Sequence, residues 1–439
     1  MLKKILVVCS LLFSILYAEE EELILHVRAK KGLSSLYMST PKLIQSKFSD
    51  SYIEKLNQLI RQDFEFNGLS DLKKHDPSVD KILANKPHEI FKNLPARHTL
   101  AFEIHGKIWK TTLFSAAISL GIKQEDIHLT GHLHSDALLL HKLSDAIHFE
   151  IYNTPGIASK KILYSVQKGS NPHLSEIWLK HFDCLEGEQI TYENSTSINP
   201  ILIPNSNQFI YTCYKFGQPK LFISDLDKTT GSPLIQFRGN QLLPSISPVG
   251  NFIAFISDAS GRPDLFVQQL SHTHKLLGKP QQVYSHKTAT QASSSFSPDC
   301  CKIAFVSDQS GTPRVYLIDL SETIKTRKIP KIKCISNLNR ENTSPSWSPD
   351  GKKIAFSAKT NGVRQIWIYD LESHQELQVT KGLGHKENPR WAANSLHIIY
   401  NTTTPTFDLF VVNLNQINPV QLTHGSGVKH YPYWEQKSH

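Results

Sequence analysis

The chain has 439 residues, more than one ordinary domain needs, and its 39% hydrophobic and 20% charged residues are ordinary for a folded protein rather than a disordered one. The formal net charge is +9, but the basic residues are scattered, not run together. That pattern reads as a solvated basic surface and argues against a nucleic-acid footprint.

Met1 to Ala18 carries the marks of an export signal. Lys3 and Lys4 form a charged start, Ile5 to Leu16 a short apolar core, and Ala18 a small residue before a cut. The apolar run is short for a membrane span. Cys9 lies inside it, a poor place for a lipid attachment. Removing the leader takes two positive charges with it. No later stretch is long and apolar enough to span a bilayer, so the mature chain is expected to be exported and soluble. It keeps Cys184, Cys213, Cys300, Cys301 and Cys334. An odd count leaves one thiol unpaired in a monomer, and no pair has zinc-site spacing.

Residues 19–158 are expected to form a small α+β domain. After an acidic tail, Leu23-Ile24-Leu25-His26-Val27 reads as a strand. Ser49-Asp50 can cap a helix with Tyr52, Ile53, Leu56, Leu59 and Ile60 on its apolar face. A shorter helical stretch follows from Ser78 to Leu83. Thr99 to Ile104 and Ile108 to Leu113 read as strands joined around His105-Gly106. The pattern from His132 to Leu143 is helical, and Asn153-Thr154-Pro155-Gly156 is a breaker before the next domain.

From residue 159 onward the chain repeats. The clearest unit runs Pro345-Ser346-Trp347-Ser348-Pro349-Asp350-Gly351, then Ile354-Ala355-Phe356, a turn at Asn361-Gly362, Ile366-Trp367-Ile368-Tyr369-Asp370, and Leu377-Gln378-Val379. Four apolar runs and three polar turns make an antiparallel meander. Trp347 shares a column with Leu202, Ile246, Phe296, Trp391 and Trp434, in steps of 43 to 51 residues. That is the size of one four-stranded propeller blade. The unit at Trp391 is degraded, with Ala392-Ala393-Asn394-Ser395 in place of Ser-Pro-Asp-Gly. Lys161-Ile162-Leu163-Tyr164-Ser165-Val166 and Glu176-Ile177-Trp178-Leu179 supply second and third strands without a first. Tyr431-Pro432-Tyr433-Trp434 supplies a first strand alone. Residues 159–439 therefore read as a six-bladed β-propeller whose first blade is completed by the C-terminal strand, since a closed ring leaves no open end. The fold class is mainly β, a six-bladed β-propeller preceded by a small α+β domain.

The sequence shows no sign of chemistry. There is no Gly-x-Ser-x-Gly elbow, phosphate-cradling loop or His-Glu-x-x-His. Gly425-Ser426-Gly427 lacks the strand and helix an elbow needs. His132, His134 and His141 do not converge on one helix face, which speaks against a metal site. Asp225, Asp319 and Asp370 recur before a leucine at each third strand's end, where an acid bonds turn amides. The aromatic members of the column read as packing residues.

Taken together, these residues resemble the TolB family, the periplasmic component of the Tol-Pal envelope system. The resemblance rests on Lys161 to Gln167, the Ser-Pro-Asp-Gly repeats and the ending Tyr431-Pro432-Tyr433-Trp434. Two further signatures are Gly131-His132 with Ser135-Asp136 and Leu143, and Asp63-Phe64-Glu65-Phe66-Asn67-Gly68. The resemblance implies a non-enzymatic, monomeric adaptor peripheral to membranes, with no cofactor, metal or nucleic acid. It implies binding of the outer-membrane lipoprotein Pal at one mouth of the propeller, and of TolA, tied to the inner membrane, by residues 19–27. It implies a role in outer-membrane integrity and in envelope constriction at division. The Pal-contacting loops enter the innermost strands, here at Arg238 and Asn240, Thr290 and Gln291, Asn342 and Thr343, His385 and Glu387, and Lys429 and His430. Ala146 to Gly156 departs from the family pattern and reads as an insertion. The alternative is an exported propeller enzyme or a peptide- or glycan-binding propeller, which needs an acid cluster or a nucleophile–base pair in the channel.

Overall fold

The structure is a computed structural model that describes residues 32–436 except for 86–95, 116–117, 124–125, 170, 172, 183–185 and 321–330. The export signal, the strand at 23–27, the TolA-type segment, Cys9 and Cys184 lie outside the described residues. The chain divides into two compact units. The described parts are 32–160 with 181–182, and 161–180 with 186–436.

The first unit is α+β. Helix α1 spans Asp50–Glu65, helix α2 Pro77–Asn85 and helix α3 Leu133–Tyr152. Ser49 caps α1, its Oγ accepting from the Tyr52 amide at 3.3 Å. The expected strands are present as His98–His105 and Ile108–Ser115, paired antiparallel about Gly106. Five others were not anticipated: Ser34–Met38, Lys42–Ile44, Ser70–Leu72, Ile118–Lys123 and Ile127–His128. They are short, and most lack the period-two pattern that makes a strand legible. Leu56, Ile60, Leu100, Ile104, Trp109, Leu140 and Ile147 form the core.

Helix α3 runs past Leu143, where the sequence pattern ends it: residues 146–152, within the stretch read as an insertion, form its last two turns. Ile147 and His148 continue its buried face, and the helix stops only at Asn153, which takes the left-handed conformation (φ 52°). The two N-terminal signatures are ties within this unit. Asp136 is buried and accepts from the amides of Thr130 (2.8 Å) and Gly131 (3.0 Å) and from the Tyr52 hydroxyl (2.7 Å). Asp63 is buried against His141, whose Nδ1 lies 2.9 Å from both carboxylate oxygens.

The second unit is a ring of six four-stranded antiparallel sheets. Blade 1 runs from the inside outward as Val428–Trp434, Lys161–Gln167, Ser175–His181, Glu188–Gln189, so the C-terminal strand closes it. The inner strands of blades 2 to 6 are Ser197–Leu202, Leu242–Ile246, Gln291–Phe296, Asn342–Trp347 and Lys386–Trp391. Each column residue is the last residue of its inner strand. The Ser-Pro-Asp-Gly turns follow at once. In each, the serine Oγ accepts the amide of the second strand's first residue: Ser247 from Phe252 (3.0 Å), Ser297 from Lys302 (2.9 Å), Ser348 from Lys353 (2.9 Å). Gly250 and Gly351 are left-handed there, and Cys300 occupies the same position with φ 59°.

Second strands are sandwiched between neighbouring blades, so Ile253-Ala254-Phe255, Ile303-Ala304-Phe305 and Ile354-Ala355-Phe356 are buried on both faces. The alanine lets adjacent sheets approach, and larger residues such as Trp391 and Tyr400 pack across the gap. The blade at Trp391, degraded in sequence, is complete in structure. Its odd turn works because Asn394 Oδ1 accepts the Leu396 amide (3.1 Å) and Ser395 takes φ 56°. Asp370 bonds turn amides as expected, at Glu372 and Ser373, whereas Asp225 bonds the side chains of Gln208 and Lys228. Cys213, Cys300, Cys301 and Cys334 are free thiols. Among the described residues no helix is long and apolar enough to cross a membrane, and no three His, Cys, Asp or Glu side chains gather as metal ligands.

Candidate functional site

The starts of the inner strands and the hairpins between second and third strands share one face of the ring. Every inner strand carries a β-bulge three to two residues before its column residue. In five blades the bulge is a left-handed residue followed by proline: Asn199-Pro200, Leu243-Pro244, Ser344-Pro345, Asn388-Pro389 and Tyr431-Pro432, with φ between 52° and 54°. Blade 4 has Ser293-Ser294 and a bulge of one residue. A proline lacks the amide a regular ladder needs, and a non-glycine left-handed residue is uncommon, so five copies on one circle are a built feature. Side chains link the blades at these bulges. Ser245 and Ser294 hydroxyls are 3.0 Å apart, the Ser344 amide donates to Ser293 Oγ (3.2 Å), and Ser344 Oγ donates to Asn388 (2.9 Å).

Of the ten residues expected at the mouth, Arg238, Asn240, Thr290 and His385 lie in the loops ahead of these strands, and Gln291, Asn342, Thr343, Glu387, Lys429 and His430 lie within the first three residues of the strands themselves. Gln291, Asn342 and Lys429, each the first or second residue of its inner strand, are buried. Asn342 donates to the Asn339 carbonyl (2.7 Å), Gln291 to Ala289 (3.3 Å), and Lys429 to Gly425 (2.6 Å) while pairing with Asp408 (2.9 Å). These three brace the loops rather than present a surface. Asn240 and Thr290 are bonded to the carboxylates of Asp258 (2.7 Å) and Asp308 (2.9 Å). Arg238 is exposed. His430 lies 3.3 Å from the Asn401 amide, and burial holds its imidazole below the usual histidine range.

Thr343, His385 and Glu387 are brought together by a residue the sequence reading missed. Arg364, just after the Asn361-Gly362 turn, reaches Glu387 through Nε (3.3 Å), Glu341 through Nη2 (3.2 Å) and the Thr343 hydroxyl through Nη1 (3.5 Å). Its own amide donates to His385 Nδ1 (3.0 Å). One planar fork thus joins the entry loops of blades 5 and 6. Lys386 was missed as well. Its ammonium is buried against the carbonyls of Gly382, Leu383 and Gly384 at 2.7 to 3.0 Å, and burial lowers its pKa. Beside these polar residues, Leu383 is 89%, Leu338 67% and Phe216 67% exposed.

A family model described as the TolB β-propeller domain matches residues 150–438. The chain belongs to the TolB family. It is 38% identical over 386 residues to the protein TolB homolog of Protochlamydia amoebophila, covering 84% of this chain and 82% of that one. The TolB homolog of Chlamydia trachomatis serovar L2 is 33% identical over 392 residues, 88% of this chain and 84% of its own. The crystal structure of TolB from Acinetobacter baumannii superposes with a TM-score of 0.72 over 93% of this chain and 98% of that chain, at 17% identity, a likeness of fold. The chain is therefore a TolB-type propeller protein.

Within this TolB ring, the loop before the inner strand of blade 6 has no room for change at Gly384. Its φ is +77°, and a Cβ would stand 1.7 Å from the Thr404 carbonyl oxygen. Gly384→Ala is expected to push this loop off Lys386 and lower stability by about 1–3 kcal/mol. Chemical denaturation checks this, and a midpoint equal to wild type would count against the tight packing described.

Proposed function

We propose that this chain is a non-enzymatic adaptor of the Tol-Pal system, exported to the periplasm. Its propeller mouth takes a Pal-type outer-membrane lipoprotein, and residues 19–27 engage a TolA-type inner-membrane protein, supporting outer-membrane integrity and constriction at division. The observation that carries this reading is the composition of the mouth: exposed Leu338, Leu383 and Phe216 stand among Arg238, Asn240, Thr290, Thr343, His385, Glu387 and His430. Apolar anchors inside a polar rim are the anatomy of a protein-docking surface. The braced loops favour it further, because a preformed surface loses little entropy on binding.

The test is a calorimetric titration of the full chain with the soluble domain of a Pal-type lipoprotein. Binding is expected, and Thr343→Ala is expected to weaken it several-fold. Asn342→Ala is expected to weaken it by up to about a hundredfold, because the buried amide holds the loop that presents Thr343. Affinities unchanged across both variants and across alanine changes at His385 and Glu387 would exclude this face.

A further inference from the structure

The bore of the ring holds a positive charge that the mouth does not use. Arg390 stands one residue before Trp391 on the inner strand of blade 6. The same position in the other blades is Ile201, Ser245, Ser295, Ser346 and Tyr433, none of them charged. Arg390 lines a cavity with Asn199, Leu243, Ser293, Ser344, Asn388 and Tyr431, the six bulge residues. It is the sole charged side chain among the residues lining that cavity, and no carboxylate faces it there. Its Nη1 donates to the Pro345 carbonyl at 3.2 Å, and among the described residues it has no acidic partner. Nearby Tyr433 does not balance it, since burial pushes that phenol up to about 12 and leaves it neutral. Guanidinium keeps its proton even when burial opposes it.

The neutral groups of the cavity are donors with spare hydrogens. Ser293 Oγ accepts from the Ser344 amide, which leaves its O–H proton free, and among the described residues the Asn199 amide and the Tyr431 hydroxyl have no hydrogen-bond partner. Arg390 is half-buried in the bore, and a cation partly withdrawn from water gains from a counter-charge, while the donors around it favour an acceptor. The space left for the centres of water-sized atoms is about 20 Å³, enough for one small group and too little for a sugar or a nucleotide.

We propose that the bore binds one small monovalent anionic group, a chloride or a carboxylate, on Arg390, with Ser293, Asn199 and Tyr431 completing its shell. A free ion can supply that chemistry, and so can an aspartate or glutamate side chain of a protein seated at the mouth. Only the second source rests on the docking reading.

The linewidth of the chloride NMR signal tests it, with the full chain titrated with sodium chloride at constant ionic strength against gluconate. Wild type is expected to show saturable broadening that formate abolishes. Arg390→Gln is expected to weaken the binding about tenfold or more, and Arg390→Lys less. Ser293→Ala, which removes no charge, is expected to weaken it a few-fold and serves if the arginine variant does not fold. In a second arm, a tripeptide centred on aspartate competes with chloride, beside its asparagine analogue. Displacement by the aspartate peptide alone assigns the site to a side-chain carboxylate, and displacement by formate alone to a free ion. Wild type with neither saturable chloride broadening nor aspartate-peptide binding overturns the proposal. So does unchanged binding in a folded Arg390→Gln protein. Either failure leaves the Thr343 titration with the lipoprotein domain standing or falling separately.

Discussion

A chain ending at Gly427 is expected to lose the cooperative unfolding transition of the propeller and to associate through its first blade. The missing strand, Val428–Trp434, pairs along Lys161–Gln167, from Val428 opposite Gln167 to Trp434 opposite Ile162. Beyond it, the Glu435 amide donates to the Lys161 carbonyl (2.8 Å) and Gln436 donates to the Trp391 carbonyl (3.0 Å). Without this segment, the ladder edge of Lys161–Gln167 is open, and blade 6 loses the neighbour that covers it. Trp434 is fully buried. Truncating one such indole to alanine typically costs about 3–5 kcal/mol, and a whole domain is stable by about 5–15 kcal/mol. Losing that side chain together with a seven-residue ladder therefore removes most of what holds the ring shut, and the exposed edge invites pairing between molecules. Thermal unfolding and light scattering are the measurements. Trp434→Ala, with the strand kept, is expected to fall between the truncated chain and wild type. A truncated chain that melts as sharply and as high as wild type, as a monomer, would mean that ring closure by the C-terminal strand is not what stabilises the fold.

Arg364→Ala is expected to separate affinity from stability. The guanidinium is about a quarter exposed, and its pairs with Glu341 and Glu387 are surface pairs, each worth about 0.2–1 kcal/mol at most. The melting temperature should therefore move little. The entry loops of blades 5 and 6, however, are held together by that one fork, which places Thr343 and Glu387, while the backbone contact to His385 is kept in the variant. If the Pal-type lipoprotein docks at this mouth, the change should weaken binding by about ten- to a hundredfold, because the partner must then order the loops itself. Arg364→Lys should recover part of the loss, since an ammonium reaches one carboxylate but cannot bridge two. Calorimetric titration beside thermal melting reads both quantities. An affinity as tight as wild type, or a fall in melting temperature large enough to account for the loss, would take Arg364 out of the site.

Much of the ring was written in the chain. The column from Leu202 to Trp434 marks the last residue of all six inner strands, and the orphan strands at Lys161 and Tyr431 told where the ring closes. Both signals are local: a strand between two fixed turns repeats its apolar period and its Ser-Pro turn in each blade, because each blade buries the same two faces. The recurring residue–proline pair ahead of the column was equally open to view. Its left-handed conformation was not, because a backbone bulge depends on the register of the neighbouring strand.

What only tertiary structure decided are the roles of individual side chains. Asn342 and Thr343 are neighbours in sequence, yet one is buried as a brace and the other faces the mouth, since successive strand residues point to opposite sides. Arg364 and Glu387 lie in different blades, as do Arg390 and Ser293, and no spacing in the chain announces that they share a loop cluster or a cavity. Local periodicity fixes which segments become strands and how many blades they make. The charges that meet at the mouth and in the bore are set by closing the ring, which brings distant turns onto one circle.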